Sequence, residues 1–213
     1  FCRTMFDSVG IAKRELGLYN PAAAAYFSDV PSDLKAGEFM VVSLVAEQSK
    51  TPMLDLLAEY NGRVAWTQSF EEMTQSGLTM MEHCWNHATL HALKHDKSFT
   101  NLQTNYDAEN VLQQLADLKA ETGDEVEIHL EYIRLANGQL LITGLPLVRY
   151  SSAERLQEIM DIHEKLGIKI NNSHVYTLED GKHGGSLSDE IKASITAYDP
   201  HRLLNRGKVR SMN

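Results

Sequence analysis

Glu125-Val126-Glu127-Ile128-His129-Leu130-Glu131-Tyr132-Ile133 alternates polar and apolar residues, and beyond Asn137-Gly138 the stretch from Gln139 to Val148 runs back in strand-forming composition. Alternation at period two marks a strand with one apolar face, and Asn-Gly is the strongest short hairpin signal, so the two stretches predict an antiparallel pair. Upstream, Phe99 to Tyr106 reads as a strand, and Asp107 stands as N-cap of a helix carrying Val111, Leu112, Leu115 and Leu118 at helical spacing before Gly123. Downstream, Ser151 or Ser152 caps a helix with Leu156, Ile159, Met160 and Ile162 on its inner side. Gly167 ends that helix and Ile168 to Val175 forms a last strand. The order β-α-β-β-α-β is that of a ferredoxin-like unit.

Working toward the N-terminus, Glu38 to Ala46 is an apolar, β-branched run. Thr51 and Pro52 open a helix over Met53 to Tyr60, Asn61-Gly62 stops it, and Val64 to Thr67 gives a second short strand. A helix from Leu78 to Lys94 follows the Gly77 break, so this half looks like part of a second such unit. The fold class expected is α+β: a duplicated or expanded ferredoxin-like arrangement, an antiparallel sheet with helices on one face. Residues 1–36 read as a lead segment of mixed helical character with a turn at Pro21, and 37–213 as one domain.

Four histidines, His83, His87, His91 and His95, stand four residues apart in the predicted helix. Each step of four turns the azimuth by roughly 40° and climbs roughly 6 Å, so the ladder winds around the helix and only neighbouring pairs could chelate a metal. Leu78, Met81, Trp85, Ala88 and Ala92 fall on one apolar stripe facing the core, which leaves His83 and His95 as solvated surface residues. No Cys-x-x-Cys or carboxylate motif accompanies the ladder, and no metal is expected.

A formal charge of −9, with basic residues gathered only at Arg202, Arg206, Lys208 and Arg210, argues against nucleic acid as a partner. Only Cys2 and Cys84 are present, too few for a disulfide framework, and no apolar run reaches the roughly 20 residues needed to span a bilayer. A cytoplasmic protein without membrane contact is the expectation, and a start at Phe1 without an initiating Met reads as a fragment.

Glu127, His129 and Glu131 share one face of the alternating strand, which is either a solvated outer sheet face or the wall of an active site with acid/base groups. Arg134 and Arg149 could each anchor a substrate carboxylate or serve in a surface ion pair. Asn172, His174, Tyr176, Glu179 and Asp180 crowd the end of the last strand, before a glycine-rich loop with His183 that is either a backbone approach to a ligand or a flexible linker.

Two stretches together resemble the C-terminal domain of FAD-linked oxidases of the vanillyl-alcohol oxidase and p-cresol methylhydroxylase flavoprotein family. One is Trp85-Asn86-His87-Ala88-Thr89-Leu90-His91-Ala92-Leu93-Lys94-His95-Asp96-Lys97-Ser98-Phe99-Thr100-Asn101-Leu102-Gln103. The more specific is Tyr198-Asp199-Pro200-His201-Arg202-Leu203-Leu204-Asn205-Arg206-Gly207-Lys208, similar to the family's closing Asp-Pro…Leu-Asn-Pro-Gly-Lys signature, with Arg206 where that family has Pro. The Gly-His…Gly-Asp-Gly-Asn…His pattern of the D-lactate dehydrogenase and glycolate oxidase branch is missing.

The resemblance implies the substrate-binding part of an FAD-dependent oxidoreductase that takes a hydride from an alcohol or hydroxy-acid type C–H donor. The FAD-binding domain of the same protein would be its partner, and self-association is a further expectation. It implies catalytic roles for His87, His129 and His174, and substrate binding by Asn86, Glu131, Arg134 and Arg149. Cofactor contacts would come from His174, Tyr176 and Asn205. Two rivals stand beside it: a non-catalytic ferredoxin-like module binding a ligand or metal through the histidine segment, and an interaction domain using an open sheet face.

Overall fold

The alternating hairpin becomes the spine of an α+β fold, but each of its arms is interrupted once. The computed structural model describes residues 1–28, 30, 34–172, 175–181 and 187–212. In chain order the helices are α1 (Cys2–Asp7), α2 (Pro21–Ala24), α3 (Lys50–Glu59), α4 (Phe70–Ser76), α5 (His87–His95), α6 (Val111–Thr122), α7 (Ala153–Lys165) and α8 (Asp189–Tyr198). The strands are β1 (Lys13–Tyr19), β2 (Met40–Val45), β3 (Phe99–Asn101), β4 (Gln103–Tyr106), β5 (Val126–Glu127), β6 (His129–Arg134), β7 (Leu140–Gly144), β8 (Leu147–Arg149) and β9 (Lys169–Asn171).

Among the described residues β2-β1-β6-β7-β4-β9 form a six-stranded sheet and β3-β8-β5 a three-stranded one, with every pairing antiparallel. The run β4-α6-β6-β7-α7-β9 has the spatial order of a ferredoxin-like unit. Its hairpin closes where expected, with Gly138 at φ 84 and Leu135 N–H donating to the Gln139 carbonyl at 2.9 Å. Ser152 caps α7 by accepting from the Arg155 N–H, and Gly167 at φ 73 follows the helix end.

Three predicted strands each break in two. Phe99 to Tyr106 parts at Leu102, Glu125 to Ile133 at Ile128, and Gln139 to Val148 at Leu145-Pro146. Pro146 has no N–H for a ladder, and the three breaks fall side by side: Leu102 N–H reaches the Pro146 carbonyl and Leu145 N–H the His129 carbonyl. The small sheet is therefore a bent continuation of the large one.

The N-terminal half departs further from expectation. Residues 13–19, read as mixed helical, form β1 between β2 and β6, so the segment 1–36 supplies an inner strand. Val64 to Thr67 is not a strand, and among the described residues no second β-α-β closes; the unit is expanded by β1 and β2 rather than duplicated. The expected helix from Leu78 to Lys94 is a 3₁₀ turn at Met80–His83, a break at residues 84–86, and α5.

Helices α6 and α7 cover one face of the sheet through Leu118 and Ile159 on Leu130 and Ile142. Each such aliphatic side chain contributes about 1.5–3 kcal/mol by leaving water. The opposite face is covered near β1 by α5 and α2, through Tyr19, Phe27, Cys84, Ala88 and Ala92. Two helices thus overlie the face that β6 lines with its polar residues.

His163, fully buried near the end of α7, donates its Nδ1–H to the Ile159 carbonyl 2.7 Å away. Burial holds its pKa below the ordinary histidine value, against the smaller opposing effect of that hydrogen bond. The folded state therefore resists a proton that the unfolded chain takes up below about 6.5. Its contribution is whole above that pH and declines as the pH falls toward the lowered folded value. Urea midpoints should drop on acidification through this window, and His163→Leu should flatten that slope; an unchanged slope would remove His163 from the account.

Candidate functional site

On β6 the side chains of Leu130 and Tyr132 point to the α6–α7 side and those of His129 and Glu131 to the other. There the expected choice between a wet face and an active-site wall resolves against water: Glu127, His129 and Glu131 are 4%, 0% and 1% exposed. Buried carboxylates are costly unless hydrogen-bonded, and these are. Glu131 Oε1 lies 2.7 Å from His129 Nε2 and accepts the Trp85 backbone N–H at 2.9 Å. Glu127 accepts from the Asn20 side chain at 2.9 Å, while Asn20 Oδ1 caps α2 by accepting the Ala23 N–H at 3.0 Å.

Strand β1 completes the cluster. Gly17 stands directly opposite Glu131, and a Cβ on it would lie 3.1 Å from Glu131 Oε2, so glycine makes the room the carboxylate uses. Tyr19 stacks on His129 with ring centroids 4.3 Å apart and donates its hydroxyl to the His83 carbonyl. Burial, then the charge of Glu131, pushes the Tyr19 pKa well up, so its hydroxyl stays a donor. The Nδ1 of His129 has no hydrogen-bond partner among the described residues.

The histidine segment is mounted on this cluster. After the 3₁₀ turn, Trp85 takes φ 52, a left-handed conformation that a bulky residue adopts only where its surroundings impose it. Glu131 holds its N–H, and its indole N–H reaches Glu15 at 3.4 Å. The break turns the chain so that the ladder does not wind as a single helix would. His83, expected at the surface, is 2% exposed. It stacks on the equally buried His91 at 5.5 Å, and Phe27 sets its edge against both rings. His95 is exposed, as expected. His91 Nε2 lies 3.0 Å from the Glu82 carbonyl.

Asn86 is exposed and His87 half-exposed, with His87 Nδ1 3.2 Å from the Glu82 carboxylate. An imidazole beside a carboxylate at the surface can accept and return a proton, which the buried His129 cannot do with solvent. Burial pushes the Cys84 thiol up to about 12 and Cys2 up to about 11, so neither is a ready nucleophile. Among the described residues no group of three or more His, Cys, Asp or Glu is placed to hold a metal ion, and no helix is long and apolar enough to cross a membrane.

The remaining candidates scatter. Arg134 stacks on Phe6 at 4.1 Å and donates to the Phe6 and Gly138 carbonyls. Arg149 lies over Phe99 and donates to Asp96 and Tyr26 at 3.0 Å each. Both guanidinium groups are engaged by the chain itself. Tyr176 and Asn205 each lie beside Lys208, whose Nζ sits 3.7 Å above the Tyr176 ring and whose N–H donates to the Asn205 carbonyl. Glu179, buried, ties down the tail by accepting from the N–H groups of Arg210 and Ser211, which hold its carboxyl at about 2. His174 and His183 lie outside the described residues.

Sequence reading missed Gly17, Tyr19 and Asn20. The one legible sign was Asn20-Pro21, an N-cap followed by proline at the first helical position. The chain matches no known protein-family model and no curated protein.

Proposed function

We propose that the chain is the substrate-binding part of an FAD-dependent oxidoreductase acting on an alcohol or hydroxy-acid type C–H donor. The observation that carries this reading is Trp85, held at positive φ by the buried Glu131 carboxylate. Strain of this kind persists where the surroundings over-determine it, and it gathers at functional sites. The mount presents Asn86 and His87 outward from a fixed base, with Glu82 beside His87. His87 is then the residue in reach of a substrate hydroxyl, and Asn86 its neighbour in binding. His129 and Glu131 act as positioning residues behind them.

FAD would supply the hydride acceptor. The described residues suit the ring end of that cofactor rather than the whole of it. Tyr176, Leu203 and Leu204 are exposed, apolar surface that a planar ring could cover. Among the described residues no glycine-rich turn leads into a helix as a pyrophosphate cradle would. The cofactor's phosphates would fall to another domain of the same protein.

The test is made on the full-length protein that contains this chain. Purification should give a yellow protein with a flavin absorption band, or one that regains it with FAD, and an alcohol substrate should bleach the band without oxygen. A colourless protein that takes up no FAD would end this reading.

A further inference from the structure

A cleft of about 1370 Å³ opens between β2, α3, the connection 62–69, α4 and the start of α6. Drug-sized ligands occupy roughly 300–1,000 Å³, so the space admits a molecule of two or three rings. Its walls carry aromatic side chains from separate places, Phe39, Tyr60, Trp66 and Phe70 among them, together with Met53 and Met73. Phe70 is 72% exposed, and neither α3 nor α4 has a buried residue. These helices are held over the sheet edge without filling the space beneath them.

Charge narrows the occupant. The cations of the cleft are Arg3, Lys50 and Arg63, against four carboxylates, Glu38, Glu47, Glu72 and Glu109. Arg63 is engaged bidentately by Glu38 at 3.0 and 2.6 Å, and Arg3 bonds Glu109 at 3.2 Å. Glu72 is bound into the capping box of α4 with Ser69. With these engaged groups set aside, Lys50 and Glu47 remain as one charge of each sign, so neither an anion nor a cation finds an excess to hold it. Aromatic faces and methionine sulfurs favour a flat ring system.

We infer that this cleft binds an uncharged aromatic molecule, gripped between Trp66 and Phe70. The binding needs no flavin, so it stands or falls apart from the oxidoreductase reading. His83 forms part of the same wall, which places the ligand against the histidine segment.

Three probes with one ring system and different charge test it: naphthalene-1-methanol, naphthalene-1-sulfonate and 1-naphthylmethylammonium, titrated calorimetrically into the 213-residue chain without FAD. The alcohol should bind one to one, and both ions about tenfold more weakly or worse. In a Trp85→Phe background, leaving Trp66 as the remaining indole, the alcohol should change the fluorescence saturably. Phe70→Ala, at an exposed position, should keep the melting temperature and weaken the alcohol by about fivefold or more. No saturable binding of the alcohol, an ion bound as tightly, or unaltered binding by the Phe70→Ala chain would overturn the inference.

Discussion

Replacing Glu131 with alanine lowers the unfolding free energy by about 2–6 kcal/mol, since it takes the acceptor from two hydrogen-bonding groups at about 1–3 kcal/mol each. The carboxylate serves two groups at once, His129 Nε2 and the Trp85 N–H, and the fully buried His129 has no water to turn to when it goes. Domains of ordinary stability hold only about 5–15 kcal/mol, so the variant should stand at the edge of folding. Glu131→Gln, which keeps the shape and an acceptor, should lose less, about 1–3 kcal/mol. Gly17→Ala gives a second line of sight. Its added methyl meets Glu131 Oε2, so its cost should shrink in a Glu131→Ala background. Urea unfolding of the four chains measures the coupling. A Glu131→Ala loss below about 1 kcal/mol, the size of an ordinary hydrogen bond, would mean that the cluster does not hold the segment.

On the proposed flavoprotein reading, His87→Ala should slow anaerobic flavin reduction by about 10²–10⁴-fold, the usual contribution of a positioned acid or base. His87 is half-exposed and packs into no core, so its removal should leave stability within about 0.5 kcal/mol. That combination separates it from Glu131, where folding suffers first. Glu82→Gln should leave most of the maximal reduction rate, since the carboxylate touches the imidazole without reaching past it. Rapid-mixing absorbance of the flavin band reads both. Reduction at the parental rate by the His87→Ala protein would assign the proton transfer to another group.

The ferredoxin-like unit was legible because its signals are local: the alternating strand, Asn137-Gly138, Ser152 and Gly167 each act within a few residues of where they stand. The breaks in its strands were not, since Leu102, Ile128 and Leu145 depart from the ladder together only once the three strands are side by side. The histidine segment failed for another reason. Helical spacing put Trp85 on the core stripe, but a carboxylate 46 residues away takes its N–H and turns the chain there. Once the helix breaks, the azimuth argument lapses, and His83 goes inward. Alternation did put Glu127, His129 and Glu131 on one face, while burial of that face depended on β1, whose Gly17 and charged start Lys13-Arg14-Glu15 carry little strand signal.

The inner position of β1 bears on how the chain reaches its native state. Its two neighbours are β2, close by in sequence, and β6, more than a hundred residues on. The hairpin β6–β7 can form locally, whereas the seam between β1 and β6 closes a very long loop and is expected late. Until it closes, β6 presents an open edge bearing Leu130, Tyr132 and Ile133, the kind of edge that recruits strands from other molecules. Refolding chains, and chains cut after Tyr19, would share that vulnerability, so aggregation during refolding should fall when the N-terminal strand is supplied in trans as a peptide.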